Sequence, residues 1–79
     1  YEAEVRRLKA YLKMSQINVE QAEVNLRDAR NNLERVKSLF QNEFVSQMEL
    51  EAAQAKYDSA EVQLKSAREE VAQARASLE

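Results

Sequence analysis

Apolar and small residues follow a three–four spacing along almost the whole chain, in two runs whose phases do not match. The first run occupies heptad positions a and d with Val5, Leu8, Leu12, Ser15, Val19, Ala22, Leu26, Ala29, Leu33, Val36 and Phe40. The second run does so with Leu50, Ala53, Tyr57, Ala60, Leu64, Ala67, Val71, Ala74 and Leu78. Each run predicts a helix whose narrow apolar stripe packs against another helix.

The phase break between the two runs predicts that the chain folds back on itself. Continuing the first repeat would place Glu43 and Gln47 in the apolar stripe. We therefore expect an all-α fold of two long helices in an antiparallel coiled-coil hairpin. The predicted helices cover about 3–41 and 47–78, and a tip loop covers about 42–45. The alternative is a single continuous helix.

The expected register sets large side chains against alanine in each layer, as in Leu33 opposite Ala53 and Leu64 opposite Ala22. Such layers interdigitate and allow the two helices to approach closely.

Capping signals mark the turn between the helices. In the absence of glycine, Asn42 is the expected left-handed cap of the first helix. Ser46 and Glu49 form the capping-box pattern S-x-x-E at the start of the second helix. Val45 and Leu50 flank that start as a hydrophobic staple.

A second apolar stripe lies at the outward heptad position f. It contains Ala3, Ala10, Ile17 and Val24 on the first helix, and Met48, Ala55, Val62 and Ala76 on the second, interrupted by Glu69. Position f normally faces water in a lone hairpin. The stripe therefore predicts lateral packing of hairpins side by side; the alternative is scattered surface apolar residues.

Composition excludes several function classes. The chain of 79 residues has no Cys or His, so zinc sites, thiol chemistry and imidazole catalysis are not expected. We predict no enzyme activity, no metal and no cofactor. The net charge of −2 and the mixing of bases with acids argue against nucleic-acid binding.

The chain begins with Tyr1, contains no apolar run long enough for a membrane span, and is expected to be a piece excised from a larger protein. An amphipathic helix lying on a membrane is disfavoured because the stripe is narrow and rich in alanine. Surface ion pairs are expected between Glu2 and Arg6, Glu23 and Arg27, and Glu61 and Lys65.

The predicted turn carries a specific motif. Arg35, Leu39 and Ser46 have the spacing R-x3-L-x6-S, followed by a V-S-x-x-E-L-E-x-A helix start. Here the chain resembles the α-helical hairpin of periplasmic adaptor proteins, also called membrane fusion proteins, of the HlyD/AcrA/MacA type. Only the tip residues are specific, because generic coiled coils share the rest.

The resemblance implies a docking role in a tripartite efflux or secretion system in the periplasm of a Gram-negative bacterium. Six adaptors would bundle their hairpins into a tube whose tips meet a TolC-like outer-membrane channel. An inner-membrane transporter would bind through domains absent here. The implied docking residues are Arg35, Leu39 and Ser46, with Phe44 and Val45 as possible support. The alternative is a coiled-coil spacer or oligomerisation arm that binds no channel.

Overall fold

The computed structural model describes all residues 1–79 as two α-helices and a short turn. Helix α1 spans Glu2–Gln41 and helix α2 spans Gln47–Leu78. The molecule is a rod with principal extents of 62 × 13 × 13 Å, and it contains no strand. The predicted all-α fold, a hairpin of two long helices, is confirmed.

The two helices run antiparallel and pack along their length. Residues from both chain ends, Tyr1 and Val5 with Leu78 and Glu79, line one groove at the base of the rod. Near the middle, one ion pair crosses between the helices. A single continuous helix would instead hold the two chain ends at opposite extremes of the molecule. The alternative of one helix is therefore wrong.

The buried core is a thin seam between the helices, built mostly from small residues. Its buried members are Ser15, Ala22, Leu33, Ala53, Ala60, Leu64 and Ala74. All of them occupy positions predicted for the seam. Alanine on one helix lets the facing helix approach closely, so the seam can be close-packed although it is only one layer deep.

Ser15 is the one buried polar residue, and it is almost fully inaccessible at 1% exposure. Its hydroxyl donates a 2.9 Å hydrogen bond to the main-chain carbonyl of Tyr11, one turn earlier in α1. This local bond satisfies the hydroxyl without a partner from α2. Ser15 therefore serves in the seam as a small residue and not as a polar contact between the helices.

Phe40 departs from its predicted place in the seam, because its side chain is 36% exposed. It lies in the last turn of α1, one residue before the helix ends at Gln41. The seam has no further layer beyond this point, since the facing chain is already in the turn. Phe40 therefore lies at the edge of the apolar stripe and contributes to the surface of the tip.

Charged side chains pair differently from the sequence expectation. None of the three predicted i,i+4 ion pairs forms. Instead Arg68 contacts Glu23 across the hairpin at 3.8 Å, and Arg27 contacts its neighbour Asp28 at 3.9 Å. All four side chains are more than half exposed, and such pairs contribute little to stability.

The second apolar stripe is exposed as expected from its outward position. Ile17 and Val24 on α1 are 54% and 41% exposed, and Met48 and Val62 on α2 are 79% and 66% exposed. Tyr11 and Met14 extend the exposed apolar surface of α1. Neither helix contains a segment apolar enough, over sufficient length, to cross a membrane.

Candidate functional site

The tip of the hairpin begins with a hydrogen-bonded cap at the end of α1. The main-chain N–H of Phe44 donates to the carbonyl of Leu39 at 2.8 Å, and the N–H of Glu43 donates to the carbonyl of Phe40 at 3.0 Å. This pair of reverse bonds is the Schellman motif, which satisfies carbonyls that a helix end would otherwise leave free. The turn is thus closed by its own backbone.

The motif requires one residue in the left-handed conformation, and that residue is Glu43 with a φ of 63°. The prediction that Asn42 would take this role is wrong. Asn42 has a φ of −97°, and its side-chain amide instead donates to the carbonyl of Ser38 at 3.0 Å. Asn42 keeps a negative φ and is the C-cap residue of α1, so the left-handed residue is the next one, Glu43. A non-glycine residue in this conformation stores strain.

The start of α2 is capped by Ser46, as predicted. Ser46 has an extended backbone, and its hydroxyl oxygen accepts a 3.2 Å hydrogen bond from the N–H of Glu49. The reciprocal half of the predicted capping box, in which the Glu49 carboxylate accepts from the Ser46 N–H, does not form. Val45 and Leu50, the predicted staple, are both half-buried.

The three motif residues therefore have different surroundings. The hydroxyl of Ser46 is occupied by the cap. Leu39 is half-buried, and its carbonyl accepts the hydrogen bond from the N–H of Phe44. Arg35 is exposed and donates to the side-chain oxygen of Asn32 at 2.7 Å, which leaves most of its five donors free.

The most exposed apolar side chains of the tip lie outside the motif. Phe44 in the turn is 76% exposed, and Met48 in the first turn of α2 is 79% exposed. Together with Phe40 they give the end of the rod an apolar surface. Sequence reasoning assigned Met48 to the outward stripe and Phe40 to the seam. The signal that would have placed them at the tip is their distance of two or fewer residues from a helix end, where the seam has no facing layer.

A match to a known family model identifies the family of the chain. The fold is that of a hairpin of two long antiparallel helices. The family model described as the EmrA alpha-helical hairpin domain matches residues 3–79, which is nearly the whole chain. The chain therefore belongs to the EmrA hairpin family, and its resemblance to membrane fusion proteins is confirmed. No curated protein and no solved structure matched the chain.

Membership of this family establishes the chain as the hairpin of an efflux adaptor protein. The family consists of membrane fusion adaptors and is not a family of enzymes. Adaptors of this kind interact in general with a transporter and with an outer-membrane channel.

Proposed function

We propose that this hairpin docks tip-to-tip on a TolC-like outer-membrane channel in the periplasm of a Gram-negative bacterium. In this proposal its copies pack side by side into a hexameric tube, and an inner-membrane transporter engages domains outside this chain. The observation that carries the proposal is that Arg35, Leu39 and Ser46, the docking motif of the family it resembles, all lie at one end of a 62 Å rod.

The rod supports a docking role because both helices end at the same place. A tip that projects from two continuous helices holds its side chains far from the base, where both chain termini lie. A partner that binds the tip therefore meets a surface that is separate from the rest of the protein. Such a geometry suits an end-to-end contact between elongated molecules.

The chemistry of the tip suits a contact with the ends of other helices. Arg35 presents free guanidinium donors, which bind carboxylates or the unpaired carbonyls at a helix end. Phe44 supplies an exposed aromatic side chain of the kind that dominates many protein interfaces. Ser46 and the Leu39 carbonyl hold the turn in shape, and we assign them a supporting role through backbone geometry.

The alternative function is a spacer or oligomerisation arm whose tip binds nothing. One observation favours it: Ser46 and Leu39 already have structural tasks within the turn, which would explain their presence without any partner. This explanation does not extend to the side chains of Arg35 and Phe44: only the main-chain N–H of Phe44 takes part in the cap, and its ring is exposed.

A binding experiment with a substituted tip distinguishes the two functions. Six copies of the chain, joined at the base through a parallel hexameric coiled coil, would be tested for binding to a purified TolC-like channel by biolayer interferometry. Display is needed because single contacts are weak and six act through avidity. We expect the wild-type hexamer to bind, and Arg35→Asp and Phe44→Ser each to reduce binding at least tenfold.

Arg7→Asp is the matched control, because Arg7 occupies the same heptad position as Arg35 at the opposite end of the rod. It should bind like the wild type, and circular dichroism should give equal helix content for all variants. Loss of binding in the tip variants alone supports docking. No binding by the wild-type hexamer would favour the spacer, and equal binding by every variant would overturn docking through Arg35 and Phe44.

A further inference from the structure

A row of mostly charged residues lies on each helix beside the second apolar stripe, the one at heptad position f. At heptad position b, α1 presents Arg6, Lys13, Glu20, Arg27 and Glu34. The corresponding positions of α2 are Glu51, Asp58, Lys65 and Ala72, and Glu79 continues the row directly after the end of the helix. All ten residues are exposed in the hairpin. Glu20, Lys65 and Asp58 take part in no ion pair, and Arg27 contacts only the adjacent Asp28. Asp58 and Glu51 accept hydrogen bonds from the side-chain amides of Gln54 and Gln47 one turn earlier in α2. No residue of either row forms an ion pair with the other helix of the same copy.

We propose that the two rows are complementary halves of one contact between neighbouring copies, in which α1 of one hairpin packs against α2 of the next with both tips pointing the same way. The contact pairs Glu20 with Lys65 of the next copy, Arg27 with its Asp58, and Arg6 with its Glu79. This inference deepens the proposed lateral packing and rests on it. The occupant of the exposed apolar stripe is thus a second copy of this chain.

The direction of the helices brings like heptad positions together across such a contact. When hairpins stand side by side with parallel tips, α1 of one copy runs antiparallel to α2 of the next. Antiparallel helices bring equivalent flanking positions together, as Glu23 and Arg68, both at position e, already do within the hairpin. By the same geometry, position b of α1 faces position b of the neighbouring α2.

The two residues of each pair lie at similar distances from the tip along the rod, with one constant offset. Counted from the helix ends at 1.5 Å per residue, Arg27 lies at about 21 Å and Asp58 at about 17 Å, and Glu20 lies at about 32 Å and Lys65 at about 27 Å. The offset is the same for every pair. One axial shift of about 5 Å, well within the reach of these side chains, therefore aligns the rows completely.

The charges favour this register over the two registers that are shifted by one heptad. In register, three pairs are of opposite charge and one, Glu34 with Glu51, is of like charge. A slip of one heptad in one direction places Lys13 against Lys65 and Glu20 against Asp58. The opposite slip places Arg27 against Lys65 and Glu34 against Asp58. Each slip leaves two like-charged pairs and one opposite pair, which is unfavourable.

The second apolar stripe, at position f, does not by itself distinguish the proposed register from a register shifted by one heptad. In register, Val24 meets Val62 and Ala10 meets Ala76 of the next copy, whereas Ile17 meets Glu69. A slip of one heptad would instead bring Ile17 against Val62, which is also an apolar contact. The two registers therefore differ in a measurable way: either Val24 or Ile17 lies opposite Val62.

Disulfide cross-linking reads out this difference directly, because the chain has no native cysteine. The variants Val24→Cys/Val62→Cys and Ile17→Cys/Val62→Cys would be oxidised at high protein concentration and examined by non-reducing electrophoresis. The engineered cysteines lie on opposite outer edges of the hairpin, too far apart to bond within one copy. We expect the first pair to give a ladder of covalent multimers at least fivefold faster than the second.

Charge reversal provides an independent test. Glu20→Lys and Lys65→Glu should each weaken self-association, measured by sedimentation equilibrium, about two- to fivefold. The double variant Glu20→Lys/Lys65→Glu should restore it. Lys56→Glu, which makes the same charge change on an exposed residue outside the row, should have no effect. High salt should remove the difference between the variants, since exposed charges are screened.

The outcomes separate the inference from the proposal beneath it. Faster cross-linking of the Ile17 pair, or failure of the double reversal to restore association, overturns the register but leaves lateral packing intact. The single variant Val24→Cys should not cross-link. If it instead forms covalent dimers while the double variants give no ladder, α1 packs on α1 of another copy. No ladder from any pair, with no self-association of the wild type, would overturn lateral packing itself.

Discussion

Replacing Glu43 with glycine is expected to make the hairpin more stable, although glycine usually weakens helical proteins. Glu43 holds a φ of 63° at the centre of the Schellman motif. A left-handed conformation costs a residue with a Cβ atom about 1–2 kcal/mol, and glycine avoids this cost. Glycine loses about 0.4–1 kcal/mol through the greater freedom of the unfolded chain. The net gain is about 0.5–1 kcal/mol.

Urea unfolding followed by circular dichroism measures this gain. Glu43→Gly should raise the midpoint without changing the slope, because the area exposed on unfolding is the same. For a chain of this size the melting temperature should rise by about 2–8 °C. Glu43→Ala is the control, since it removes the carboxylate but keeps the Cβ atom, and it should leave stability nearly unchanged. A glycine variant no more stable than the alanine variant would refute the assignment of strain to Glu43.

Five further substitutions, two of them controls, test the cap and the seam by the same unfolding assay. Ser46→Ala should destabilise the hairpin by about 1 kcal/mol through loss of the cap, whereas Ser46→Asp should retain it; equal loss in both would contradict the capping role. Leu64→Ala, at a site only 6% exposed, should cost about 2 kcal/mol or more. Val62→Ala, at a site 66% exposed, should cost less than about 0.5 kcal/mol, and similar losses at both sites would argue against the seam. Ser15→Ala should change stability by less than about 0.5 kcal/mol, because the Tyr11 carbonyl keeps its helical bond; a loss of 2 kcal/mol or more would indicate a polar role for the hydroxyl.

Periodicity was sufficient to predict the fold because each helix carries one continuous a/d stripe, and this stripe packs against the other helix of the hairpin. The phase break located the turn, and the S-x-x-E pattern located the start of α2 at Ser46. These features are local, and they depend on residue spacing that can be read without knowing the partner helix. The same holds for the seam, in which the buried residues all fall at predicted positions.

The details of the tip and of the charge pairing could not be predicted from residue spacing, because they depend on where each helix ends and on how the two helices are placed relative to each other. The left-handed residue is Glu43 and not Asn42, because its place depends on the residue at which α1 ends. The ion pair of Glu23 with Arg68 depends on the relative heights of two helices. Phe40 is exposed because the seam runs out at the turn. Each of these departures lies where one helix ends or where two helices meet.

A distance measured between spin labels at the base tests the chain reversal most directly. Lys9→Cys and Ser77→Cys would be labelled in a chain that has no other cysteine, diluted with unlabelled chain, and measured by double electron–electron resonance. Lys9 and Ser77 line the same groove in the folded hairpin, so we expect a distance of about 15–25 Å, set by the groove and the label linkers. A distance near 100 Å, which a single straight helix would give at 1.5 Å per residue, would contradict the hairpin and the docking tip with it.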